Sequence, residues 1–140
     1  MTTGTNQFGH FLLTLLLLPI LKASQPARVV VVSSEGHRYG IYNSASARMS
    51  ANNEIAKPFF DDYLFEKNYT AMNAYNFSKL MICLFAVELN RRLQTEGCDI
   101  TVNSIHPGVI NTTNIQRSIA GKCAAYGMYC CSMSVCVHDG

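Results

Sequence analysis

The chain has 140 residues, of which 49% are hydrophobic and 14% charged, with a formal charge of +2. That length is one domain's worth, and the composition supplies a core and excludes a disordered segment. The basic residues are scattered, with only Arg91-Arg92 adjacent, so nothing builds a nucleic-acid surface and that pair reads as a solvated helix end.

Thr3 to Lys22 reads as a helix that is apolar nearly all round, which must be covered on more than one side. Its run Phe11–Leu21 is short of the roughly 20 apolar residues that a bilayer span takes, so no membrane span is expected. A signal peptide is the alternative, with Lys22-Ala23-Ser24 as its cleavage region, but no basic residue precedes the run. Arg28-Val29-Val30-Val31-Val32-Ser33 is β-branched without alternation, the pattern of a parallel strand buried on both faces.

Glu35 to Thr70 is irregular, and its Ser/Ala/Asn-rich centre, Ser44 to Asn53, reads as an exposed loop. Ala71 to Leu93 carries helical periodicity, with Ala71, Ala74, Ser78, Ile82, Phe85 and Leu89 on one stripe and Leu80, Leu84 and Val87 on a second. Gly97 stops it. Asp99 to Ile105 is a second strand, broken by His106-Pro107-Gly108. Helix, strand, loop, helix, strand is half of a doubly wound parallel α/β sheet, whose ligands bind at the carboxyl ends of the strands.

Four of the six cysteines, Cys123, Cys130, Cys131 and Cys136, crowd the C-terminal segment without a Cys-x-x-Cys pair. Zinc-ligand spacing is absent and the cysteines are not spread as in a stapled secreted domain, so reduced thiols in a cytoplasmic protein, with no metal, are expected.

Tyr75 and Lys79 stand four residues apart on the long helix, so they share a face. An ammonium beside a phenol favours phenolate and equips the tyrosine to move a proton near neutral pH. Taken alone, the pair reads more readily as an aromatic beside a solvated lysine on a surface helix. Ser34 closes the first strand and could hydrogen-bond a substrate oxygen, while Pro107-Gly108 closes the second and exposes backbone to a flat cofactor. Asn6 opens the first helix, where a capping role is the plainer alternative.

Asn6-Gln7-Phe8-Gly9-His10-Phe11, Pro26 to Glu35, Ala74 to Leu80, Glu88 to Leu93 and His106-Pro107-Gly108 together resemble the short-chain dehydrogenase/reductase family, within it the retinol-dehydrogenase-like branch. The resemblance covers about Thr5 to Arg117. It implies a Rossmann sheet, NAD or NADP as cofactor, and interconversion of a hydrophobic alcohol and a ketone. It implies Tyr75 as general acid/base, Lys79 as its pKa-lowering partner on the nicotinamide ribose, and Ser34 on the substrate carbonyl. Asn6 would hold a water linking Lys79 to solvent. Pro107, Gly108, Val109 and Thr112 would line the nicotinamide.

The sequence contains no Gly-x-x-x-Gly-x-Gly or Gly-x-Gly-x-x-Gly turn to cradle a pyrophosphate. The expected organisation is therefore a partial domain over residues 1–117, its C-terminal half only, with a long insertion loop at 38–70 and a divergent Cys-rich tail at 118–140. Two functions follow: an oxidoreductase by descent, as a truncated chain, or an inactive fragment that associates with an intact homologue, or with itself, through its two long helices.

Overall fold

The computed structural model describes residues 2–39, 62–67 and 69–108, and the backbone of 134–136. Most of the expected insertion loop and Cys-rich tail lies outside the described residues, as do Val109 and Thr112.

The first helical segment opens as a π-helical turn, Gly4–Phe8, and continues as α1, Gly9–Ala23. Strand β1 (Ala27–Val32) follows, then a 3-10 turn at Glu35–Tyr39, helix α2 (Ala71–Thr95) and strand β2 (Ile100–His106). β1 and β2 pair in parallel, Val29 opposite Val102 and Val31 opposite Ser104. A short strand that the sequence does not announce, β3 (Ser134–Cys136), runs antiparallel along the other side of β2. The architecture is thus α/β, with a parallel pair at its centre.

The core lies between the sheet and α2. Val31, Ile82, Ala86, Leu89, Leu93, Ile100 and Val102 are buried together, joined by Leu18 and Leu21 from α1. The periodicity of α2 therefore selects the buried stripe through Ala74, Ser78, Ile82 and Leu89. Thr70 caps its N-terminus by accepting from the Asn73 amide at 3.1 Å. At its other end Gly97 adopts φ +71°, and Cys98 N–H reaches back to Leu93 O at 2.9 Å. Nothing lies within 4 Å of a Cβ built on Gly97, so Gly97→Ala isolates the backbone cost of that conformation. We expect it to lower stability by about 1–2 kcal/mol, read as a lower urea midpoint at unchanged slope.

Side chains of α2 also satisfy the sheet's edges. Asn90 Oδ1 accepts from Val102 N–H at 3.0 Å, and Gln94 Nε2 donates to Ile100 O at 3.3 Å, on the stretch of β2 that β3 does not reach. The exposed Glu88 carboxylate, gripped by Arg91 and Arg92, is held down to about 2, chiefly by its hydrogen bonds to those two guanidinium groups. Such a surface pair contributes little to stability.

Two expectations are corrected. β1 is not buried on both faces: Val31 faces α2, but Val30 is 53% exposed and Val32 49% exposed on the opposite side. Helix α1 is not covered on more than one side: it has no buried residue, and Leu16 and Ile20 are 67% and 62% exposed. The β-branched run and the all-round apolar helix state what these side chains prefer, and among the described residues only one side of each finds a partner. The helical stretch Gly4–Ala23 has 20 residues, so by length and composition it reaches what a membrane span requires, although the apolar run alone falls short. It is nevertheless docked along one side. Leu18 and Leu21 pack against the core, the Phe11 ring lies tilted against Phe85 with centroids 5.1 Å apart, and Lys22 pairs with Glu96, which raises the Lys22 pKa.

Candidate functional site

The carboxyl ends of β1 and β2 converge on the N-terminal half of α2, and the segments singled out in the sequence meet there. Alternation along β1 sends Val31 and Ser33 toward α2. Ser33 is buried; its hydroxyl donates to Lys79 O at 2.9 Å and accepts from the Cys83 thiol at 3.0 Å. Ser34 is left at the rim. Its Oγ accepts from Gly36 N–H at 3.2 Å, which engages one of the oxygen's two lone pairs and leaves the hydroxyl proton free to be donated.

Tyr75 and Lys79 share a face of α2 as their spacing dictates. The Lys79 ammonium lies 5.8 Å from the centroid of the Tyr75 ring, within cation–π range. It also donates to Val32 O at 3.0 Å. The amides of Ala27 and Ser33 bond β2 at Asp99 O and Ile105 O, so by strand alternation Val32 O points to the open edge of β1. Lys79 thus caps an edge carbonyl that no strand takes among the described residues. Partial burial holds its pKa below the ordinary lysine value, slightly offset by Cys83.

Asn6 sits inside the π-helical turn, the kind of local distortion that recurs at functional sites, and is not a cap. Its side-chain amide donates to Ser78 Oγ at 3.1 Å. Ser78 is fully buried and in turn donates to Tyr75 O at 2.7 Å. The asparagine therefore reaches the Tyr-Lys turn of α2 through the serine between them. Pro107 and Gly108 follow the last residue of β2, and Gly108 takes φ +82°, a conformation that suits glycine and bares the backbone there.

Three residues join the site that side-chain chemistry alone did not single out. Ser78 links Asn6 to Tyr75. Gly36 packs so tightly on α2 that a built Cβ would lie 2.5 Å from Asn76 Oδ1 and 3.3 Å from Tyr75 Cε1, so the Ser34 turn rests directly against the tyrosine. His106 accepts from the amide after Ser34. Ser78 lies within the Tyr-x-x-Ser-Lys run and His106 before Pro-Gly, which is the signal that marks them. Among the described residues no group of His, Cys, Asp and Glu could hold a metal ion.

The donor set fits one end of a nicotinamide dinucleotide. A lysine ammonium and a serine hydroxyl flank bare backbone at the ends of two parallel strands, which suits ribose hydroxyls and a flat ring. The pyrophosphate's glycine-rich turn has no counterpart in this sequence.

No protein-family model matches the chain. Human retinol dehydrogenase 14 is 44% identical over 119 residues, which cover 85% of this chain and 30% of that protein. The WW domain-containing oxidoreductase of Gallus gallus is 44% identical over 117 residues, 84% of this chain and 26% of its own. The chain thus spans under a third of the length of these curated relatives. A crystal structure of an uncharacterised protein from Mycobacterium paratuberculosis superposes with a TM-score of 0.59 at 37% identity, over 79% of this chain and 34% of the other.

Proposed function

We propose, since this chain belongs to the short-chain dehydrogenase/reductase family in its retinol-dehydrogenase-like branch, that it carries the proton-handling part of an NAD- or NADP-dependent oxidoreductase acting on a hydrophobic alcohol or ketone. On this reading, α1, β1, α2 and β2 are the C-terminal half of a doubly wound Rossmann sheet. The observation that carries it is the convergence of Ser34, Tyr75 and Lys79 where two parallel strands end.

A bound nicotinamide supplies the hydride chemistry. The chain's own residues handle the substrate oxygen. Ser34, its Oγ held by Gly36 N–H, donates to that oxygen. Tyr75 gives or takes the proton. Lys79 supplies a positive charge beside the tyrosine ring and a donor for ribose hydroxyls. Asn6, through Ser78, steadies the turn of α2 that bears both. Pro107, Gly108, Val109 and Thr112 would approach the nicotinamide.

One observation favours a second reading, association with an intact homologue or with a second copy. The exposed apolar side chains Leu12, Leu16 and Ile20 of α1 and Leu84 and Val87 of α2 make an uncovered surface on both long helices. We assign that surface to a protein partner rather than to a membrane, because Leu18 and Leu21 of α1 join the core, Phe11 meets Phe85 and Lys22 pairs with Glu96, and we place the chain in the cytoplasm.

One assay separates the two readings. The purified chain is offered NAD or NADP with a panel of hydrophobic alcohols and aldehydes, alone and with full-length human retinol dehydrogenase 14. Turnover by the chain alone supports the oxidoreductase. No turnover, together with co-purification and altered activity of the full-length enzyme, overturns it in favour of the second reading.

A further inference from the structure

Two imidazoles grip the Ser34 turn, and their geometry requires opposite protonation at the same ring atom. His37 Nδ1 lies 2.6 Å from Ser34 O. A carbonyl only accepts, so His37 Nδ1 carries a proton. His106 Nδ1 lies 3.2 Å from Glu35 N, and a backbone amide only donates, so His106 Nδ1 is bare and its proton sits on Nε2. His106 is the last residue of β2, 71 residues away in sequence from the amide it holds. Among the described residues, this hydrogen bond is the one by which a side chain at the end of β2 holds the Ser34 turn. The turn is otherwise pinned by its own bonds, Gly36 N–H to Ser34 Oγ and His37 N–H to Ser34 O at 3.0 Å.

We propose that His106 is a positioning residue for Ser34. Its bare Nδ1 fixes the Glu35 amide and so sets the serine hydroxyl against Tyr75. The proposal rests on the oxidoreductase reading for its kinetic consequence but not for its structural one. The turn has little slack, since a Cβ on Gly36 would already meet Asn76 Oδ1 at 2.5 Å. Releasing the Glu35 amide lets the turn lift away from α2, and a misplacement of about 1 Å at a reacting group costs up to about a hundredfold in rate.

The test compares His106→Asn with His106→Leu in the full chain labelled with 15N. An asparagine places its Oδ1 where Nδ1 stood and keeps the acceptor; leucine removes it. In the native chain we expect a coupling through the hydrogen bond between the Glu35 amide nitrogen and His106 Nδ1, with imidazole shifts of the Nε2–H tautomer. In His106→Leu the Glu35 amide moves upfield and exchanges faster, the Gly36 amide shifts with it, and kcat falls about ten- to a hundredfold while the cofactor KM holds. In His106→Asn the amides and kcat stay near native. Unmoved Glu35 and Gly36 amides in His106→Leu overturn the proposal, as does an equal loss of kcat in both variants. A native chain that turns over nothing defeats the oxidoreductase reading, and the two amides then decide whether His106 holds the turn.

Discussion

Replacing Tyr75 by phenylalanine is expected to lower turnover by about a hundred- to ten-thousandfold, the usual worth of a positioned general acid or base. Only the hydroxyl is deleted. The ring that Lys79 approaches at 5.8 Å remains, and so does Cε1, the atom on which the Gly36 turn rests. Tyr75 is only partly buried, so the unfolding midpoint should not move. The loss should fall on kcat with KM nearly unchanged, because the missing interaction belongs to proton transfer. Progress is followed by the absorbance of the reduced nicotinamide. If Tyr75→Phe matches the native chain in turnover, Tyr75 is not the proton carrier and the pair with Lys79 is an ordinary aromatic–cation contact.

What could be read from the residues was what is local. The first stripe of α2, the stop at Gly97 and the two strands depend on spacing and backbone preference, and the structure has them, although Ala71 at the head of that stripe and Leu84 and Val87 of the second are exposed. The reading failed wherever the answer depended on what lies alongside. Val30 and Val32 carry the composition of a doubly buried strand, yet nothing described covers their face. The leucines of α1 show the same gap between preference and partner. The site divides along the same line. Tyr75 and Lys79 could be paired from their spacing, because a helix turn fixes their relation. Asn6 meeting Ser78, and His106 meeting Glu35, join residues 72 and 71 positions apart, which no local pattern encodes. Val32 O as a resting partner of Lys79 follows only from the open edge of β1.

Phe77→Ala should destabilise the chain by about 3–5 kcal/mol, the range for removing a buried phenylalanine ring. Whole domains are stable by only about 5–15 kcal/mol, so the variant should be close to losing a cooperative transition. Phe77 is 2% exposed and lies at the centre of a small cluster with Phe65, Ala74 and Met81, separate from the main core. Its ring meets Phe65 edge-on, with centroids 5.5 Å apart at 72°. Phe65 needs that contact, because it holds φ 56° without being glycine, a conformation that costs about 1–3 kcal/mol when nothing compensates. Elsewhere the segment is held by Phe65 N–H to Asp62 O at 2.8 Å, by the Asp62 carboxylate accepting from Glu66 N–H at 2.8 Å and from Lys67 N–H, and by Tyr63 edge-on to Phe8. Deleting the Phe77 ring therefore removes core area and frees segment 62–67 to relax out of its strained backbone. The two effects have separate readouts. The urea midpoint reports the first, and hydrogen exchange at the Phe65 amide reports the second. Ile82→Ala, in the main core, should lower stability by about 2–5 kcal/mol, and the midpoint with it, while leaving Phe65 protected relative to global unfolding. If Phe77→Ala keeps both the midpoint and the protection of Phe65, the ring does not hold that segment against α2. If it loses the midpoint alone, the segment is fastened by Asp62, and the strain at Phe65 is borne by that turn.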